Sequence, residues 1–110
     1  MKEGERTKIV AMYRRHNYRC FACGDAAWQR AHIVGNTKAN RKRFGDDVID
    51  SPFNWLPACG LYCNGLIDVG HASKLPEEIA EHIKSGNIVA IEESVRENIK
   101  RKRGKYASSN

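Results

Sequence analysis

The sequence predicts a small α+β domain, and three observations predict it. At 110 residues the chain is long enough for one hydrophobic core and too short for two. Its apolar residues recur at helical spacing towards both ends and gather into two short extended runs between them. Four cysteines in two close pairs bracket those runs, which offers a small core the cross-link it needs.

Taken in order, Ile9, Met12 and Tyr13 recur at helical spacing between Glu5 and His16, with Val10 alongside. They predict a short amphipathic helix, basic on its outer face, as an N-terminal unit of residues 1–17. A tight turn, CFACG, follows, and AAWQRAHIV suits a strand reaching Val34. Residues 35–53 contain Gly35, Asn36, Asn40, Gly45, Asp46, Asp47 and Pro52, all turn formers, and read as an irregular loop. FNWLPAC is a second short strand, ended by Pro57 and Cys59. LYCNGLIDVG reads as a short helix in spite of Gly65, closing a central unit of residues 18–70.

Ser73 and Pro76, with Glu77 and Glu78 behind them, mark the start of another helix that stops at Gly86. A final helix carries Ile88, Ile91, Val95 and Ile99 on one stripe and ends at Gly104. Residues 71–104 thus form a helical extension of the same single domain, and 105–110 read as a frayed tail. Trp28, Trp55 and Tyr62 are expected to pack the core, and Phe44 to anchor the loop.

Net charge is +6 with a pI near 9.3, which favours a polyanionic partner such as nucleic acid. The first twenty residues lack an uninterrupted apolar stretch, and no later segment is long enough to span a membrane. The expectation is a cytoplasmic, reducing setting without membrane association. There, cysteines point to a metal before disulfides. Cys20 and Cys23 form C-x-x-C, and Cys59 and Cys63 form C-x-x-x-C. Close spacing lets each pair chelate from one loop, as a structural zinc ion bound by four thiolates requires. A thioredoxin-like redox pair would need a strand–helix context that YRCFACGD lacks.

The order C-x-x-C, AHI, FNWLPAC, CN resembles the HNH endonucleases over roughly residues 18–70. NTKANRKRFGDDVIDSPFNWLPAC is further similar to small members of bacterial and phage origin. The resemblance implies a ββα core around one divalent metal, hydrolysis of DNA phosphodiesters, and a bacterial or phage-infected cytoplasm. It implies that His32 is the general base that takes a proton from water and that Asn54 steadies it. Many members bind metal through the residue before the base; here that residue is Ala31, which has no ligand to offer. Asn64 and Asp68, four apart on the expected helix, share a face. Colicin-type members take two ligands from one helix at this spacing, so Asn64 and Asp68 are the candidate Mg²⁺ ligands, with His71 in reserve.

Lys38, Arg41, Lys42 and Arg43 follow His32 and suit contact with the phosphates of double-stranded DNA. Lys100, Arg101, Lys102 and Arg103 suit a basic arm riding on the duplex. A homodimer would turn nicking into double-strand cleavage, and the sequence leaves oligomeric state open. Ala31 keeps alive two other classes, a non-catalytic zinc-knuckle module that binds nucleic acid and an adaptor of a DNA-processing complex.

Overall fold

The computed structural model describes residues 3–70 and 73–107. Its elements are α1 (Glu3–Arg15), β1 (Gln29–His32), α2 (Lys38–Phe44), α3 (Asp46–Ile49), a 3₁₀ turn (Pro52–Asn54), β2 (Trp55–Ala58), α4 (Leu61–Ile67), α5 (Leu75–Ser85) and α6 (Ile88–Ala107). The architecture is α+β: a two-stranded antiparallel sheet with helices packed around it. The register pairs Gln29 with Ala58, Arg30 with Pro57, Ala31 with Leu56 and His32 with Trp55.

Side chains alternate across a strand, so this register gives the sheet two different faces. Ala31 and Leu56 point into the main apolar core, with Cys63, Leu66 and Ile67 of α4 among its members. Arg30, His32 and Trp55 share the other face, where Arg30 meets Glu5 of α1. The sheet is therefore held between α4 and α1.

The expected loop at 35–53 is instead largely helical. Thr37 caps α2 by accepting from the Asn40 amide, and Asn40, itself buried, donates to the Gly35 carbonyl. Gly45, at φ 91°, separates α2 from α3 in a conformation other residues adopt with strain. Val48 and Ile49 are buried, with Phe44 packed against the same core. The turn formers masked two short helices, each too brief to show an apolar period of its own.

Three other expectations are corrected. The first strand stops at His32 rather than Val34, because the Asn54 side chain, not a second strand, meets both backbone groups of Val34. Gly104 does not end the last helix, which continues to Ala107; residues 108–110 of the expected frayed tail lie outside the described residues. Trp28 and Tyr62 are not core residues, being 80% and 67% exposed, while Trp55 is buried. Trp28 lies just before β1 and Tyr62 on the outer side of α4, so neither has a layer above it.

Candidate metal centre and histidine cleft

The turn after Cys20 is folded by its own backbone. The Gly24 amide donates to the Cys20 carbonyl at 2.9 Å, with Gly24 at φ 84°. The Phe21 amide donates to the Pro57 carbonyl, docking this turn on the outer edge of β2. Cys59 follows β2 directly, and Cys63 lies in the first turn of α4. The four sulfurs converge, all within 4.8 Å of one another. Cys59 Sγ lies 3.5 Å from both Cys23 Sγ and Cys63 Sγ.

These separations exceed the ~2.05 Å of a disulfide. They approach the ~3.8 Å edge of a tetrahedron with ~2.3 Å zinc–sulfur bonds. Burial raises the Cys20 thiol, but backbone amides of Cys23, Ala22 and Cys59 outweigh it and bring it down to about 7. Cys63 is pushed up by burial and by its neighbouring thiols. Four thiolates this close repel one another unless a cation sits among them, so the donor set fits a metal ion and is compatible with structural zinc. Among the described residues it is the only group of three or more His, Cys, Asp or Glu that could hold a metal.

His32 lies on the other face of the sheet, half-buried, at the wall of an open cleft of about 760 Å³. Arg30 and Trp55 from the sheet, Glu5 and Lys8 from α1, and Arg41 and Asp50 from the α2–α3 segment line the same cleft. Burial lowers the His32 pKa below its ordinary value, as do the positive charges of Arg30 and Arg41, while Asp50 and Asp68 oppose the shift. The imidazole is therefore neutral at pH 7 and able to accept a proton.

Asn54 is fully buried and does not reach the His32 ring through any hydrogen bond. Its Oδ1 accepts from the Val34 amide at 2.8 Å, and its Nδ2 donates to the carbonyls of Val34 and Ile49 at 3.0 and 3.1 Å. It fixes the backbone just beyond His32 to the end of α3. Asn54→Ala would strand three buried polar groups. The expected loss is about 3 kcal/mol or more of unfolding free energy in a urea titration.

Asn64 and Asp68 are joined through the backbone, the Asp68 amide donating to the Asn64 carbonyl at 3.0 Å, but their side chains take different partners. Asn64 Nδ2 donates to Gln29 Oε1 at 3.4 Å, on the α4 face of the sheet and so opposite His32. Asp68 is not in the helix but follows Ile67 with extended ψ, and its Oδ1 accepts from the Gly70 amide at 2.7 Å. It lines a different cavity, with Gly35, Thr37 and Lys102. The two side chains thus take different partners, and Ala31, on the core face of the sheet, offers no ligand of its own. His71 lies outside the described residues.

The basic residues divide. Arg41 is the hub of the α2–α3 segment, donating to Asn36, Asp46 and Asp50 at 2.7–3.1 Å. Arg43 pairs with Glu77 and lies over the Phe44 ring. Lys38, Lys42 and Arg101 are exposed, and Lys100 lies 4.0 Å from Glu97. Lys102 and Arg103 are not part of a loose arm. Lys102 Nζ donates to the carbonyls of Gly65 and Asp68 at 2.7 and 2.6 Å, capping the end of α4, and Arg103 donates to Ala22 in the cysteine turn. Lys102→Met should lower Tm by about 4 °C, for about 1 kcal/mol, and leave any DNA affinity unchanged. A melting curve and a binding isotherm on the same variant check both halves.

No family model, curated protein or solved structure matches the chain. Among the described residues no helix is long and apolar enough to cross a membrane. Sequence reasoning missed Glu5, Lys8, Arg30, Asp50 and Trp55 as cleft residues. Arg30 was findable, since it stands two before His32 on a strand. The others arrive by packing of distant segments, which spacing does not encode.

Proposed function

We propose that the protein is an endonuclease that hydrolyses DNA phosphodiesters, with His32 as the general base. The observation that carries this is a neutral, half-buried imidazole on a rigid strand, at the wall of an open cleft that also holds Arg30 and Lys8. His32 accepts the proton of the attacking water, and the cleft cations stabilise charge that builds on the phosphate oxygens. Asn54 acts as a positioning residue through the backbone beyond the strand, and the cysteine centre, read as structural zinc, fixes the far end of the sheet. The resemblance to HNH endonucleases supports the same assignment of His32 and Asn54. The divalent ion it implies would fall to Asn64 and Asp68, whose side chains here take other partners, and His32 with the cleft cations carries what this chain's own residues supply.

A second reading is a nucleic-acid-binding module without catalysis, which Ala31 favours. Supercoiled-plasmid cleavage, wild type beside His32→Ala, with Mg²⁺, with Mn²⁺ and with neither, separates the two. Nicking that disappears in the variant supports the nuclease. Binding without nicking under all three conditions supports the module.

A further inference from the structure

We propose that the cleft contains a phosphate seat between Arg30 and Lys8, and that Glu5 occupies it while the protein is free. Glu5 and Lys8 are three apart on α1, so they project from one face of the helix. Both line the His32 cleft. Glu5 Oε1 accepts from Arg30 Nη1 at 3.1 Å, in the manner of a phosphate oxygen on a guanidinium. Arg30 is held for this role by its stacking over the Trp55 ring, at 4.5 Å.

The other cleft cations differ in how far they are already satisfied. Arg41 is met by two carboxylates, Asp46 and Asp50, and has little to offer an entering anion. Arg30 has one, Glu5, and the pair is half-exposed. Lys8 is exposed and has no ion pair among the described residues. The indole N–H of Trp55 is buried and meets no acceptor among the described residues. An entering phosphodiester exchanges the Glu5 carboxylate for its own oxygens on Arg30 and gains Lys8, with its ester facing His32.

The inference rests on the nucleic-acid reading of the cleft, and its test does not depend on cleavage. A labelled DNA duplex is titrated with protein in a His32→Ala background over a range of salt, with each variant's melting curve recorded. Lys8→Gln should weaken binding and reduce the slope of log K against log salt by about one, with Lys8→Arg restoring both. Glu5→Gln should strengthen binding by about two- to fivefold, the range of an exposed ion pair. An unchanged slope in Lys8→Gln, unchanged or weaker binding in Glu5→Gln, or no duplex binding at all overturns the seat. Competition by millimolar inorganic phosphate at constant ionic strength, lost in Lys8→Gln, would assign the seat to the free anion and overturn the duplex as its occupant. These shifts in the variants, together with no nicking by the wild-type protein, would remove the nuclease assignment and keep the seat.

Discussion

Replacing Cys59 by serine should abolish the cooperative unfolding transition, not merely lower its midpoint. Cys59 stands at the centre of the cysteine cluster, with its sulfur 3.5 Å from those of both Cys23 and Cys63. Losing it leaves three thiols and opens the link between the turn after Cys20 and the start of α4. Structural zinc in small domains contributes about 10–16 kcal/mol of apparent binding free energy. A whole domain is stable by only about 5–15 kcal/mol. The loss therefore matches or exceeds the total, and far-ultraviolet circular dichroism should show no sigmoidal melt, together with loss of bound metal by elemental analysis. An unchanged melt would show that the centre is not what holds the fold.

The second large effect is on chemistry. His32→Ala should reduce plasmid nicking by at least about a hundredfold, the lower range for removing a general base. The fold should survive, because the ring lines a cleft and is not part of the apolar core. The rate should also report the histidine's titration. In the proposed mechanism neutral imidazole is the active form, and burial with Arg30 places its pKa below the ordinary histidine value. Activity should thus be flat through neutral pH and fall only on the acid side of about 6.5. Asp50→Asn removes a charge that opposes the shift and should move that acid limb lower still. The same sign applies to stability: the native state binds this proton more weakly than the unfolded chain, so the contribution is lost as pH drops below that range. Wild-type nicking rates in His32→Ala would remove the residue from the mechanism.

What was legible in the sequence was local. The two cysteine pairs have ligand spacing, and they do gather; the terminal helices follow from Ile9 and Met12 and from the stripe through Ile99. The failures came where one residue's direction depends on another segment. Ala31 and His32 are neighbours in sequence but lie on opposite faces of β1, and α4 packs on Ala31's side. Asn64 therefore faces Gln29 and away from the cleft. Asp68 was read as helical, but the helix ends one residue earlier. Arg41 looked like a phosphate contact because Asp46 and Asp50 are five and nine residues away, at no helical spacing. Only the break at Gly45 folds them back onto it.

The ties made by Lys102 and Arg103 also bear on the order of events as the chain is synthesised. All four cysteines are present once Cys63 has been added. The side chains that tie the last helix to the end of α4 and to Ala22 in the cysteine turn come only forty residues later. A nascent chain should thus have its four-cysteine cluster complete, and able to take up an ion, before those ties form. When α6 lies down it adds those ties to a cluster whose Cys23 stays exposed, so the last helix braces the site without sealing it.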